Sequence, residues 1–471
     1  MTDLRPALTV TAAIVGLRIV FLAFDRTDLF VDEAQYWLWG QELALGYFSK
    51  PPLIGWLLRA MSEIAPQATF WVRLPAPILH GATALILARL ALMVRPGGTT
   101  LAAWVAAAYL TMPIVSVGSW MISTDTVMAP FLAAGLALWW RAGRGGLAPA
   151  ALAGAMLGLA FMAKYAAVYA VAGIALAQML VPARRLGGVQ LAVMVLPFAI
   201  VIAPNLLWNL SNDMTTVAHT MENVGWIGPE GRGPSVNPGG FAAFVASQFG
   251  VMGPVLMAAL VWAAATRRGA GFGWLALFAL PPLAVVSVQA LLDQAYANWA
   301  FAGLLAGVPL ATAILYDRAP RWLRISTALN AALCLVVPLA AALPGVMRLP
   351  SGEPMAARYL GRAQVSRMID EAARAGGASA ILATDRDLLA DLFWTLDGTD
   401  WAIYAPRPEG APSNYYEQTR PLPDDPPAPV LRASFAPSDC AAARTLAAPR
   451  IAGGAHAGRV LHLELLPPAC L

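Results

Sequence analysis

Charge is what this 471-residue sequence has least of. Asp, Glu, Lys and Arg together make up 12% of it, against about 25% in a soluble domain. With so few charges and a mean hydropathy of +0.62, most of the surface must be hidden from water, and lipid is the solvent that fits. Cysteine is nearly absent. Cys334 lies in a late apolar run and Cys440 and Cys470 lie in the tail. No Cys/His spacing of a zinc site occurs, and no carboxylate cluster has magnesium or manganese spacing. The net charge of +4 is spread between apolar runs rather than gathered in a patch, which gives no footprint for nucleic acid. Alternating segments of about ten residues, the mark of a β-barrel, are missing. So are paired, Gly/Pro-broken helices of the transporter kind. Lysine is the scarcest basic residue: of 31 Lys and Arg side chains, two are lysine, Lys50 and Lys164.

What is there is a series of apolar runs of about 20 residues, each long enough to cross a bilayer as a helix. They fall at 6–24, 73–94, 99–117, 123–141, 147–163, 166–182, 188–208, 241–265, 271–291, 297–315 and 323–345. The expectation is an all-α polytopic membrane protein with about eleven transmembrane helices. The first run lacks a small-residue cleavage site and reads as a retained helix. Arg95, Arg141, Arg144, Arg184, Arg185, Arg267, Arg268, Arg318, Arg321 and Arg324 sit in alternate turns, while the long loop 209–240 holds Arg232 alone. The positive-inside rule therefore puts the N-terminus in the cytoplasm. An odd number of spans puts loops 25–72 and 209–240, and everything after the last span, on the periplasmic face of a bacterial inner membrane.

Near residue 349 the composition changes and charges and prolines return. "YLGRAQVSRMIDEAARAGG" reads as an amphipathic helix with a glycine stop. "AILAT", "WAIYA" and "VLHLELL" read as strands, and "DRDLLADLFWTL" as a helix. The division is thus residues 1–348, membrane-embedded, and 349–471, a small C-terminal periplasmic α/β domain. Cys440 and Cys470 are able to pair there if the fold brings them close.

The segment "FVDEAQYWLWGQELALGYFSKPPL", residues 30–53, holds an adjacent acid pair, a dense set of aromatics and a lysine against two prolines. As structure, Asp32 and Gln35 have the form of a capping box, Gly46 is placed to end that helix and Pro51 to begin another. Tyr36, Trp37, Trp39, Tyr47, Phe48 and Trp56 form an interfacial aromatic belt. Neither Glu33 nor Lys50 is required by that reading. The sequence takes arginine wherever either base serves, so its two lysines stand out. Both fall on the external face, where topology asks for no cation. A lysine suits a single phosphate oxygen. Asp125, in "STDTVMAP", opens the fourth span from the same face, as an N-cap or as part of a polar site.

Acids and lysines at a membrane surface, with no metal cluster and no nucleophile motif, suit transfer of a group from a lipid phosphate. A cation stabilises the leaving phosphate and a carboxylate takes the acceptor's proton. A direct displacement inverts C1 of the sugar.

"VDEAQYWLWGQELALGYFSKPPLIGWL" resembles the first external loop of the GT-C superfamily of polyprenyl-phosphate-sugar-dependent glycosyltransferases, of the lipid A aminoarabinose transferase and protein O-mannosyltransferase type. The resemblance covers about residues 1–345. It implies that Asp32, supported by Glu33, is the catalytic carboxylate, as base or to orient the acceptor, and that Lys50, in "FSKPPL", meets the lipid-linked phosphate. It also implies that Asp125, Lys164 and Tyr165 line the same cavity. Arg73 and Tyr47 join the substrate-binding candidates, Arg73 either assisting the phosphate or snorkelling. His219 in the long loop and Asn298 in "DQAYANWA" are further candidates for sugar or headgroup binding. "PSNYYEQTRPL", residues 412–422, reads as a structural turn, with a sugar or acceptor contact as the alternative.

The expected reaction moves a monosaccharide from a polyprenyl-phosphate donor to a lipid A, glycan or protein acceptor. No cofactor is required, although some relatives use a divalent cation. The competing readings are a lipid-linked-sugar flippase and a non-catalytic scaffold of envelope assembly. The first asks for charges deep in the spans, which are few. The second asks for a vacant donor site, yet Asp32 and Lys50 are both present.

Overall fold

A computed structural model describes residues 3–223, 236–266 and 271–471. Arg232, Arg267 and Arg268, three of the topological markers, lie outside the described residues. The chain divides into two compact units. One comprises residues 1–23, 50–54 and 73–338, and the other 24–49, 55–72 and 339–471.

Among its described residues the regular elements of the first unit are all helices, as lipid demands: every backbone N–H and C=O needs a partner inside the segment. Among the described residues six helices are long and apolar enough to cross a membrane: Arg5–Ala23, Thr69–Val94, Gly188–Ser211, Gly273–Leu292, Ala297–Arg318 and Pro320–Ala342. Two expected single spans prove to be bent pairs. The 99–117 run is Thr99–Leu110 followed by Pro113–Trp120 at 64°, and the 241–265 run is Pro238–Met252 followed by Pro254–Thr266 at 113°. Each second helix begins on a proline, which has no N–H to continue the ladder. The second break passes through Gly253 at φ +94°.

Burial sorts these helices. In Ala297–Arg318 89% of the apolar window is buried, and in Gly188–Ser211 11%. The former is packed inside its unit, and the latter leaves most of its apolar surface uncovered. Gly154 lets the Leu147–Ala163 helix meet Gly188–Ser211 closely, since a Cβ there would lie 1.8 Å from the Met194 carbonyl oxygen. Arg18, inside the first span, donates to Ser119 Oγ at 2.8 Å and to the Leu110 carbonyl at 2.5 Å. That carbonyl belongs to the turn interrupted before Pro113, so the arginine satisfies an acceptor the broken helix leaves open.

The second unit holds a five-stranded sheet made of β1 (Ala380–Ala383), β2 (Ala402–Tyr404), β3 (Val430–Ser434), β4 (Arg444–Ala447) and β5 (His462–Leu466), in the order β2-β1-β3-β5-β4. β1 runs parallel to β2 and β3, and β5 antiparallel to β3 and β4. All four β1 residues are buried, as a strand covered on both faces requires. Helix Arg362–Gly376 ends on Gly377 at φ +68°, the left-handed cap that its glycine pair announces. β3 and β4 escape the sequence reading because each is bordered by proline and polar residues that read as loop. Cys440 and Cys470 are joined in a disulfide with Cα atoms 5.8 Å apart.

Two features knit this unit together. Arg362 is buried with Asp391 at 3.1 Å and Asp387 at 3.6 Å. Burial pushes the Asp391 carboxyl above the usual range, although His456 and Arg362 pull it back. Helix Val31–Gln41, far earlier in the chain, packs on helix Arg386–Thr395, with Trp37 edge-on to Trp394 at 4.9 Å. Residues 24–49 and 55–72 thus share a core with the C-terminal segment, which their sequence does not announce.

Candidate active site

The helix of the acid pair starts two residues earlier than the sequence pattern suggests. Its N-cap is Phe30, and Glu33 at N3 accepts the Phe30 N–H at 3.0 Å. The expected Asp32/Gln35 capping box is therefore corrected. Glu33 is fully buried and its carboxylate serves the helix end, where the macrodipole favours it. The helix also stops at Gln41, before Gly46, and the next begins at Leu53, two residues beyond Pro51.

The shift releases Asp32 from capping. Its Oδ1 accepts from Arg386 Nη2 at 2.6 Å, while the side chain remains 43% exposed. Arg386 is held from behind by Gln35, whose Oε1 accepts from Nε at 2.9 Å. Burial alone would lower the arginine's pKa, but the Asp32 carboxylate raises it above the ordinary value. Sequence reading misses Arg386. The available signal is its place in the first turn of helix Arg386–Thr395, behind the N-cap Asp385, where a cation opposes the helix dipole and needs an anion to offset it.

Tyr47 is a brace. It stacks on Trp39 with centroids 4.5 Å apart and donates to the Trp39 carbonyl at 2.6 Å. Burial pushes its phenol up to about 12. Glu42 accepts from Tyr415 at 2.6 Å and pairs with Arg420. Residues 412–422 therefore include a short helix, Tyr415–Thr419, capped by Asn414, that grips the end of the Val31–Gln41 helix. This is the structural alternative of the two readings.

A second polar cluster belongs to the other unit. Ser123, not Asp125, is the N-cap of helix Thr124–Ala142, accepting from Thr126 N at 3.2 Å. Asp125 is left to bind side chains. Lys164 closes on both its oxygens, at 2.8 and 2.7 Å, and Asn298 Nδ2 donates to Oδ2 at 3.0 Å. Lys164 stands in the extended residue between helix Leu147–Ala163 and a 3₁₀ turn, and Asn298 in the 3₁₀ turn Ala297–Ala300. Three sequence-selected residues thus meet across 39 and 173 positions.

Tyr165 turns elsewhere, donating to Asn205 Oδ1 at 2.8 Å and accepting from Asn209 at 3.1 Å. Arg73 does not snorkel. It is fully buried with its guanidinium 5.0 Å from the Trp120 ring centroid, a cation–π geometry. His219 bonds within its own helix, Thr215–Asn223, to Asn223 at 2.8 Å. Lys50 is half-buried ahead of the Pro51–Pro52 pair.

No group of three His, Cys, Asp or Glu side chains able to hold a metal ion occurs among the described residues. A pocket of about 160 Å³ is lined by residues including Trp37, Gln41, Met61, Trp71 and Asp397, and by none of the selected site residues. It is smaller than the roughly 300 Å³ at which ligand sites begin.

The family described as dolichyl-phosphate-mannose-protein mannosyltransferase matches residues 49–208. The lipid A galacturonosyltransferase RgtD of Rhizobium johnstonii is 40% identical over 430 residues, covering 89% of each chain. The crystal structure of ArnT from Cupriavidus metallidurans in the apo state superposes with a TM-score of 0.63 at 14% identity, over 97% of each chain. The same enzyme bound to undecaprenyl phosphate gives 0.63 at 16% identity, over 96% of this chain and 97% of that one. These two likenesses establish a shared fold.

Proposed function

This chain belongs to the GT-C superfamily of polyprenyl-phosphate-sugar glycosyltransferases, and on that premise we propose that it transfers a hexuronic acid, galacturonic acid in the first instance, to lipid A. It is a multi-pass membrane enzyme that moves a monosaccharide from a polyprenyl-phosphate donor to an envelope acceptor. The observation that carries the choice of sugar and acceptor is the 40% identity to a lipid A galacturonosyltransferase along 89% of both chains.

In the proposed mechanism Asp32 is the catalytic carboxylate. One of its oxygens is bonded to Arg386, and the half-exposed side chain leaves the other for the acceptor. Lys50 meets the donor phosphate and stabilises it as it leaves. Displacement inverts C1. If the acceptor is itself a phosphate, Asp32 orients it and no strong base is needed. Asp125, bonded on both oxygens by Lys164 and further by Asn298, is a rigid wall of the substrate cavity. Lys164 then acts by holding Asp125. Catalysis is proposed to be metal-free.

The enzyme is proposed to lie in a bacterial inner membrane with eleven spans. The count takes the six long helices, the two bent pairs, the shorter apolar helices Leu147–Ala163 and Tyr165–Leu180, and Thr124–Ala142. The arginine bias puts the N-terminus in the cytoplasm and the sheet-bearing unit in the periplasm. The Cys440–Cys470 disulfide supports that side, since such bonds persist in oxidising compartments.

The test is transfer by the purified protein from polyprenyl-phosphate galacturonic acid to lipid A. Asp32→Asn and Lys50→Ala run beside wild type, each expected to lose about 10²–10⁴-fold in rate. Undiminished transfer in both variants refutes the site. No transfer of the uronic acid, with transfer of another sugar, refutes the donor.

A further inference from the structure

Resting on the uronic acid reading above, we propose that Arg386 is the residue that recognises the donor sugar's carboxylate, and so sets the preference for a uronic acid over the matching neutral hexose. The two sugars differ at C6, where one carries an anion. Reading that anion requires a cation with N–H groups still unused, held in a fixed pose and open to the substrate.

Most basic side chains near the two clusters fail one of these conditions. Lys164 closes on both oxygens of Asp125. Arg362 is buried between Asp391 and Asp387. Arg420 is engaged by Glu42, and Arg459 lies on the Phe435 ring while paired with Asp385. Arg386 is different. Nε is spent on the neutral amide of Gln35 and one Nη2 hydrogen on a single oxygen of Asp32. Nη1 and the second Nη2 hydrogen make no hydrogen bond among the described residues. The side chain is 39% exposed, whereas the Gln35 behind it is buried.

A guanidinium is a planar fork of five donors suited to taking a carboxylate through two parallel bonds. Here the fork is fixed on one edge and presented on the other. A uronate bound there shares the guanidinium with Asp32, which seats the sugar beside the proposed catalytic carboxylate. A neutral hexose leaves those N–H groups to water and gains nothing from them, the asymmetry by which a polar site rejects an analogue lacking the matching group. Arg386 stands on the helix after β1, so the preference for the sugar is contributed by the C-terminal segment rather than by the membrane helices.

The experiment measures binding, so it needs no turnover. Full-length protein in detergent is titrated calorimetrically with short-chain prenyl-phosphate galacturonic acid and prenyl-phosphate galactose. Wild type, Arg386→Gln, Arg386→Lys and Asp32→Asn are compared. Wild type is expected to favour the uronate. Arg386→Gln should cut that preference by about 10- to 100-fold, the value of a lost charge-assisted bond, while the galactose donor's Kd moves by less than about threefold. Arg386→Lys, which keeps the charge, should fall between. Asp32→Asn, which leaves Arg386 in place, should keep the preference. An unchanged preference in folded Arg386→Gln overturns the proposal, and if that variant does not fold, an unchanged preference in Arg386→Lys does so. Equal weakening for both donors also overturns it, because it marks a residue that merely positions Asp32. No preference in wild type defeats the underlying uronic acid reading, and shows itself before any variant is made.

Discussion

Replacing Lys164 with methionine removes the ammonium that closes on both oxygens of Asp125 at 2.7 and 2.8 Å, leaving the Asn298 amide at 3.0 Å. The side chains are 16% and 13% exposed, so the abandoned carboxylate stays largely desolvated. Removing one partner of a fully buried pair costs about 3–5 kcal/mol. The residual exposure admits some water, which brings the expectation to about 2–3 kcal/mol. Asp125→Asn should cost a similar amount by stranding the ammonium. The double variant strands neither charge, so its loss should fall short of the sum by about 2 kcal/mol, or about 30-fold. The assay is the unfolding free energy of the four proteins in detergent, with kcat/KM for sugar transfer as a parallel series. If the losses simply add, with coupling below about 0.5 kcal/mol, Lys164 and Asp125 meet the substrate separately, and the assignment of Lys164 to holding Asp125 is refuted.

Other outcomes follow from the same geometry. Serine at both Cys440 and Cys470 opens a closure spanning 30 residues and should cost about 3–4 kcal/mol. Denaturant unfolding with and without reductant measures it, and an unmoved midpoint contradicts it. Arg362→Met strands the buried Asp391 and should destabilise the fold by about 3–5 kcal/mol. Adding Asp391→Leu should recover much of that loss, and a further drop in melting temperature would mean the pair is not coupled. Chelation by EDTA should leave the transfer rate unchanged, and a loss restored by magnesium or manganese would replace the metal-free mechanism.

Much of this protein is legible along the chain because the relevant physics is local. A run of about 20 apolar residues has to become a helix in lipid, and the six long apolar helices among the described residues fall on runs that hydropathy marks. The helix Arg362–Gly376 and the strands β1, β2 and β5 follow their periodicity and glycine stops. Proline and glycine breaks blur this. The runs 99–117 and 241–265 are continuous in hydropathy but bent in space, because composition averages over Pro113 and Gly253. Helix caps blur it too. Asp32 and Asp125 each look like an N-cap, yet Phe30 and Ser123 take those places. A shift of a residue or two decides whether a carboxylate serves the backbone or is left for chemistry.

By itself the sequence determined the membrane class, the position of the first-loop acids and the two unusual lysines. The tertiary structure alone decided which side chains meet: Asp32 with Arg386, 354 residues apart, Asp125 with Lys164 and Asn298, and Cys440 with Cys470. The reason is physical. Hydropathy and capping act within a turn or two of the backbone and leave a periodic trace. An ion pair between distant segments leaves none, since each partner taken alone looks like any other exposed charge.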